Sequence, residues 1–192
     1  MPRRKQYIEE EVLDKAMHQF WKNGYEGTSV RVLEKAMGIN QFTMYARYKT
    51  KNDLLIASLI HYQQKVYSSL LVKLAKSEGG LPAIKCFFHR FIEFVKVEHK
   101  ETGCLLTNTM LEVGHKNKKV EIVISTFVNQ VREIFTSALI KSIERGEMSE
   151  SIELNKYVNF LMGLLQGLAA STRFFNEKQL NDYIEIAFKQ LN

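Results

Sequence analysis

Residues 28–51 read TSVRVLEKAMGINQFTMYARYKTK, and this stretch contains the clearest secondary-structure signals of the chain. After Thr28, which we predict as an N-cap, apolar residues recur at helical spacing until Gly38 ends the helix. Asn40 is suited to cap a second helix, which continues to Tyr48 before polar residues end it. This stretch therefore predicts a helix, a tight turn and a second short helix.

The second helix and its flanks carry side chains that suit contacts with DNA. Amide, hydroxyl and guanidinium groups can bond to base edges or to phosphate oxygens, and lysines can neutralise phosphates. We predict that the stretch is a DNA-recognition unit that makes contacts through Ser29, Arg31, Gln41, Thr43, Tyr45, Arg47, Lys49 and Lys51.

The positive charge of the chain is concentrated around this stretch. Residues 1–51 contain ten lysines and arginines against six acidic residues, whereas residues 52–192 contain seventeen against fifteen. An excess of this size, with a net charge of +6, also suits an ordinary solvated surface. Combined with the helix pair, it favours double-stranded DNA as the partner.

Composition predicts an all-α protein with a sizeable core. Hydrophobic residues make up 45% of the chain, and two prolines leave helical periodicity almost uninterrupted.

Two cysteines do not make a disulfide framework, and no signal peptide is visible, so we expect a cytoplasmic protein. The longest uncharged run, residues 157–172, is shorter than the roughly 20 residues of a membrane span, so no membrane partner is predicted. No catalytic constellation and no phosphate-binding glycine loop is visible, so we predict neither an enzyme nor a cofactor.

Helical periodicity extends over the rest of the chain and predicts about nine helices. A capping box, T-x-x-D from Thr50, begins a long fourth helix whose N-terminus suits a DNA phosphate. Pro82 suits the first turn of the next helix, and Asn176 can cap the last. The first helix is predicted at residues 8–22, and the helices after the recognition unit at residues 51–75, 83–99, 105–113, 118–145, 154–175 and 177–191.

The last two helices carry more apolar surface than one small domain obviously needs. A dimer interface is therefore favoured over an internal core, although both readings fit the spacing. Gly163, Gly167 and Ala170 would let another helix approach closely. The predicted interface residues are Leu154, Val158, Leu161, Leu165, Leu168, Leu180, Ile184 and Ala187.

An apolar pocket is predicted in the middle of the chain, although helical spacing favours ordinary core packing for any one of its residues. Its predicted lining is Phe87, Phe91, Phe94, Cys104, Met110, Phe127 and Met162. Cys104 stands at a predicted helix start, where the helix dipole stabilises a thiolate, but a small buried hydrophobe is the favoured reading. Cys86, His89, His99 and Cys104 follow no compact ligand spacing, and we predict no metal site.

The first third of the chain resembles the TetR family of transcriptional regulators. The resemblance lies in A-x-x-x-F from Ala16, G-Y-x-x-T-S from Gly24, A-x-G from Ala36, T-x-Y from Thr43 and K-x-x-L-L from Lys51. It implies base or backbone contacts from Gln41 and Thr43, phosphate contacts from Thr28, Tyr45 and Lys51, and core packing of Phe20 and Tyr48. Asn40 and Phe42 depart from the serine and glycine of many relatives. A phenyl ring at position 42 could touch a thymine methyl or fill space against the DNA backbone.

A second likeness, G-C-L-x-x-N-x-x-x-E from Gly103 to Glu112, resembles one branch of the family near its ligand-binding core. Some regulators of that branch sense electrophiles or oxidants through cysteine. We predict a helix-turn-helix DNA-binding domain at residues 1–50 and an effector-binding and dimerisation domain at residues 51–192. The expected function is a homodimeric, sequence-specific regulator, most simply a repressor released from a palindromic operator by a small apolar or thiol-reactive effector. The alternatives are a non-specific architectural DNA-binding protein and an all-α carrier or enzyme.

Overall fold

A computed structural model describes residues 2–98, 102–189 and 191, and the side chains of residues 9–96, 102–189 and 191. Within these ranges the regular secondary structure is entirely helical, as predicted. The π-helical turn Tyr67–Leu71 joins the helix Lys51–Val66 to the short helix Val72–Lys76, so the described residues form nine continuous helices, the predicted number. The helices are α1 (Pro2–Asn23), α2 (Val30–Met37), α3 (Gln41–Tyr48), α4 (Lys51–Val66), α5 (Val72–Lys76), α6 (Leu81–Glu98), α7 (Leu105–Val113), α8 (Lys118–Glu144), α9 (Leu154–Ser171) and α10 (Glu177–Lys189).

Local capping signals end and begin the helices of the DNA-recognition unit. Gly38 ends α2 with a φ of 70°, a left-handed conformation that glycine adopts without steric cost. The Asn40 side chain accepts a hydrogen bond from the Thr43 N–H at 2.9 Å and so caps α3. Thr50 and Asp53 bond reciprocally at 3.0 and 2.7 Å at the start of α4. These three predictions are confirmed.

The predicted N-cap of α2 is wrong by one residue. Ser29 is the N-cap, and its hydroxyl accepts from the Val32 N–H at 3.3 Å. Thr28 is completely buried instead, and its hydroxyl donates to the carbonyl of Gly24 at 2.5 Å. A threonine methyl can be buried where a serine gains nothing, so the first of the two hydroxyl residues turns inward.

The first of two compact units comprises the residues up to Lys65 together with Asn108–Ser125. Its core includes Trp21 and Tyr62, whose rings meet edge to face with centroids 4.8 Å apart. This unit is larger than the predicted DNA-binding domain at residues 1–50. The predicted boundary concerns function, and it stays a prediction.

The second unit contains the remaining residues, and aromatic side chains dominate its core. Phe88 packs against Phe135 and Phe188, with ring centroids 5.7 and 5.8 Å apart. Phe87 meets Phe135 edge to face at 5.2 Å. In the part of the chain that the structure describes, no helix combines the length and the apolar character that crossing a membrane requires.

Candidate nucleic-acid interface

The recognition helix α3 buries one face and presents the other to solvent. Met44 is completely buried and Tyr48 is only 9% exposed, and the four-residue spacing places both on the inner face. Tyr45 is half-buried at the edge. The opposite face is open, with Phe42 exposed to 83%. Exposed positions among the predicted contact residues of α3 are Gln41, Phe42, Thr43 and Arg47.

The first amide groups of α3 are already bonded within the protein. A carboxylate oxygen of Glu34 in α2 accepts the N–H of Gln41, and Asn40 accepts the N–H of Thr43. Unpaired amides at a helix N-terminus would otherwise attract a phosphate. The side chains on the outer face of α3, rather than these two amides, are therefore the groups available to DNA.

Arg47 has an acidic partner in the first helix. Its guanidinium forms an ion pair with Glu9, while its carbon Cζ lies 5.8 Å from the centroid of the Tyr48 ring. Both charged side chains remain well exposed, at 48% for Arg47 and 38% for Glu9. Exposed ion pairs are worth about 0–1 kcal/mol, so a phosphate can replace Glu9 at small cost.

A strained turn at Lys49 separates α3 from α4. Lys49 has a φ of 58° and a ψ of −49°, and the N–H of Thr50 bonds across it to the carbonyl of Tyr48 at 2.6 Å. A side chain disfavours this γ-turn, since most residues with positive φ are glycines. The turn lets α4 begin only two residues after α3 and leaves the Lys49 side chain exposed.

Lys51 lies at the first position of α4, over an aromatic ring. Its ammonium nitrogen is 4.2 Å from the centroid of Tyr25, whose ring in turn stacks on Phe20 at 6.2 Å. Burial raises the pKa of the Tyr25 hydroxyl, and the negative charge of Glu26 and a neighbouring Tyr45 raise it further. The phenol therefore stays neutral, and the half-buried Lys51 lies over its ring at the start of α4.

The structure gives Thr28 a different place from the one predicted. Its hydroxyl bonds to the carbonyls of Gly24 and Gln19, and none of its surface reaches solvent. A phosphate contact by this hydroxyl is therefore excluded. Ser29 and Arg31 are exposed and stay among the predicted contacts.

Glu112 near the end of α7 holds the turn between α1 and α2. Its two carboxylate oxygens accept the backbone N–H groups of Tyr25 and Glu26, each at 2.9 Å. A Cβ atom on Gly24 would lie 2.8 Å from both oxygens, so glycine makes this approach possible. The family likeness predicted a place for Glu112 near a ligand-binding core, and its bonds to this turn were not predicted because the bonded residues are 86 and 87 positions apart.

The predicted pocket residues are mostly buried, but the structure divides them between the two units. Met110 is half-buried in the first unit, and the other six lie in the second. Phe87 and Phe91 stack at 6.4 Å within the aromatic core, and Cys104 is 8% exposed. Three clefts lined by described residues lie elsewhere, the widest beside Leu81, Lys85, Glu147 and Phe188. Pocket lining by these seven residues stays a prediction.

The predicted interface residues of α9 and α10 mostly face the chain's own core. Leu154 and Leu165 are half-buried, and the other six are buried: Val158, Leu161, Leu168, Leu180, Ile184 and Ala187. These two helices pack against each other and against α6. Burial within the protomer leaves most of these residues little surface for a second chain, because apolar periodicity does not distinguish a core from an interface. Interface contact by the eight residues stays a prediction.

The cysteine and histidine side chains considered as metal ligands are not gathered together. Cys86 is exposed, and His89 bonds to Asn181 at 2.8 Å, whereas Cys104 is buried. His99 lies outside the described residues. Among the described residues, no three or more His, Cys, Asp or Glu side chains form a group that could hold a metal ion.

Two family models match the chain. The model for bacterial regulatory proteins of the tetR family matches residues 12–58, which include the helix pair described above. The model for the tetracyclin repressor-like C-terminal domain matches residues 80–188, more than half of the chain.

Individual relatives agree in length and fold. The uncharacterized HTH-type transcriptional regulator YezE of Bacillus subtilis is 22% identical over 196 residues, with 100% of both chains covered. The HTH-type transcriptional repressor ComR of Escherichia coli is 24% identical over 172 residues, with 89% of this chain and 82% of ComR covered. A cysteine variant of the TetR family regulator CifR, solved with 26-bp double-stranded operator DNA, superposes with a TM-score of 0.83 at 20% identity, with 95% of each chain covered. The chain belongs to the TetR family, and it is a DNA-binding transcriptional regulator rather than an enzyme.

Proposed function

We propose that this regulator is a cytoplasmic homodimeric repressor that binds a palindromic operator and is released from it by a small apolar or thiol-reactive effector. Each protomer would place α3 in the major groove, and the two helices would enter successive grooves about 34 Å apart. The proposed contact residues are Ser29, Arg31, Gln41, Phe42, Thr43, Tyr45, Arg47, Lys49 and Lys51.

The outer face of α3 supports DNA reading more directly than any other feature. Met44 and Tyr48 fix the helix to its unit, and the amides of Gln41 and Thr43 are bonded internally. Gln41, Phe42 and Thr43 project their side chains into solvent from this anchored helix, and Arg47 is held beside them by its exposed ion pair with Glu9. Such preorganisation is what sequence reading requires, because each base contact then orders few additional groups.

Binding-site selection from random duplex DNA tests this function and separates it from its rivals. A sequence-specific regulator enriches one palindromic motif and keeps it in the presence of excess unrelated DNA, whereas an architectural protein enriches none. Gln41→Ala should weaken binding to the selected motif more than to random DNA. Lys49→Ala should weaken both equally, since a phosphate contact carries no sequence information. Enrichment of no motif would refute the proposal.

The outer faces of α9 and α10 suit the second copy of the chain. Phe160 is 43% exposed, Tyr183 41% and Ile186 59%, so apolar surface lies on both helices on the side away from the core. A Cβ atom built on Gly163 meets nothing within 4 Å, so the backbone there is open to a neighbouring helix. Apolar surface with a helical glycine is typical of closely packed helix interfaces.

Gly163→Leu tests this dimer face without disturbing the protomer. The site is open in the protomer, and replacing a mid-helix glycine raises helix propensity by roughly 0.5–1 kcal/mol. We expect the protomer to stay folded while the dimer dissociates at concentrations where the unaltered chain is dimeric, as measured by analytical ultracentrifugation. Glu93→Leu, on the exposed side of α6, is the matched control and should leave the dimer intact. An intact Gly163→Leu dimer would place the interface elsewhere.

Cys104 separates a thiol-reactive effector from a purely apolar one. Its side chain is buried, that of Cys86 is exposed, and neither residue forms a disulfide. If the effector is thiol-reactive, addition of N-ethylmaleimide should release operator DNA from the unaltered chain and from Cys86→Ser, but not from Cys104→Ser. A typical allosteric coupling of about 1–3 kcal/mol corresponds to a 5–150-fold loss of operator affinity. Equal release from all three proteins would remove Cys104 from the proposal and leave the apolar effector.

A further inference from the structure

The most outward part of the recognition helix is apolar. Successive residues of an α-helix are about 100° apart, so positions 42 and 46 lie nearly opposite the buried Met44 and Tyr48. Phe42 and Ala46 occupy these positions, four residues apart on one face, and both are exposed. The phenyl ring is 83% exposed, so packing within the protomer does not account for its presence there.

The base edges of the major groove carry one apolar group. Guanine, cytosine and adenine present hydrogen-bond donors and acceptors, whereas thymine adds its C5-methyl group. A phenyl ring has no donor or acceptor for the polar edges and no charge for a phosphate. Among the groups on the base edges, the thymine methyl is therefore the favourable contact for removing this ring from water.

We propose that Phe42, with Ala46 beside it, contacts the C5-methyl group of one thymine in each operator half-site and thereby selects a T·A base pair at that position. The small side chain of Ala46 leaves room for the base edge next to the ring. This inference rests on the proposed binding of a specific operator, and it adds the identity of one base and the residue that reads it.

Deoxyuridine provides the decisive substitution, because it lacks only the methyl group and pairs with adenine as thymine does. Each thymine of the selected half-site is replaced singly by deoxyuridine, and Kd is measured at one fixed salt concentration. One replacement should weaken binding by about fourfold, the value for burying one methylene-sized group. The same replacement in both half-sites should weaken it by about 16-fold if the sites act independently.

Phe42→Ala should bind the thymine operator more weakly and should bind the thymine and deoxyuridine operators equally. The ring is not part of the core, so the variant keeps its fold. Leu111→Ala is the matched control, because Leu111 is a similarly exposed apolar residue, at 76%, in the same unit. It should keep the full discrimination against deoxyuridine.

The results that overturn this inference differ from those that overturn the proposed function. A selected operator whose half-site lacks thymine overturns the inference alone, as does a protein indifferent to every deoxyuridine replacement. Undiminished discrimination by Phe42→Ala also overturns it, because another residue would then read the methyl group. Failure to select any operator refutes the proposed function, and the inference falls with it.

Discussion

Removing the Glu112 carboxylate should loosen the turn that leads into the helix pair. Each oxygen accepts one backbone N–H at 2.9 Å, and the two amides belong to Tyr25 and Glu26. Hydrogen bonds to charged groups contribute about 1.5–3 kcal/mol each when buried, and the lower end applies here because the Glu26 bond is exposed. Glu112→Ala should therefore lower the free energy of unfolding by about 2–3 kcal/mol.

The substitution of Gly24 separates this contact from general destabilisation. Gly24→Ala introduces a left-handed alanine, which costs roughly 1 kcal/mol, and a methyl group 2.8 Å from both carboxylate oxygens. We expect a total cost of about 2–3 kcal/mol in the unaltered chain, since overpacking adds at least about 1 kcal/mol. In a Glu112→Ala background the clash is absent, and only the backbone term of roughly 1 kcal/mol should remain.

Urea unfolding at one fixed protein concentration gives the free energy of unfolding of the unaltered chain, the two single variants and the double variant. Hydrogen exchange of the amides at residues 25 and 26 reports on the turn itself. Both amides should exchange faster in Glu112→Ala, because each loses its hydrogen-bond acceptor. Glu93→Ala, an exposed carboxylate on α6, is the control and should change stability by less than about 0.5 kcal/mol. If Gly24→Ala lowered the free energy of unfolding equally with and without the Glu112 carboxylate, the carboxylate would not lie against Gly24 as described.

Substitutions at Lys49, Asn40 and Asp14 test three other local contributions to stability. Lys49→Gly should raise stability by about 1 kcal/mol by relieving the positive φ. It should also weaken operator binding and reduce the salt dependence of the operator affinity by about one counterion. Weaker binding with an unchanged salt dependence would contradict a phosphate contact by Lys49. Asn40→Ala should cost about 1 kcal/mol through the lost cap of α3, as urea unfolding would measure, whereas Asn40→Asp should cost much less. Burial alone would raise the pKa of Asp14, but the hydrogen bond and charge of Lys65, with His18 and His61, hold it below its usual value. The stability that ionised Asp14 contributes is thus present above about pH 4 and lost as pH falls through the lowered pKa, so the stability difference from Asp14→Asn should shrink in that range.

Helix termini could be predicted from the sequence because capping is local. Gly38, Asn40 and Thr50 each act on backbone groups within four residues, so the residue types near each terminus contain most of the information. The choice between Thr28 and Ser29 as the N-cap was not local. It depends on the carbonyls of Gly24 and Gln19, which the chain brings next to Thr28 only when α1 and α2 pack.

The orientation of α9 and α10 shows a second limit. Apolar spacing identified the stripe that contains Leu161, Leu168 and Ile184, and the structure buries all three in the protomer. The exposed side carries fewer apolar residues, including Phe160 and Ile186, which single-sequence periodicity treats as noise. A face of this kind becomes visible only when the burial of its opposite side is known.

Some predicted DNA contacts have protein partners that a phosphate can replace, whereas one is bonded inside the core, and only the structure distinguishes the two kinds. The exposed ion pair of Arg47 with Glu9 is worth about 0–1 kcal/mol, and the cation–π contact between the half-buried Lys51 and Tyr25 is worth roughly 0.5–2 kcal/mol. Bonds to charged phosphates are comparable or stronger, so DNA can replace these partners, and the partners keep both cations positioned beforehand. Releasing the hydroxyl of Thr28 would instead leave buried carbonyls with a lost bond and would open the core, so a change at Thr28 acts through folding.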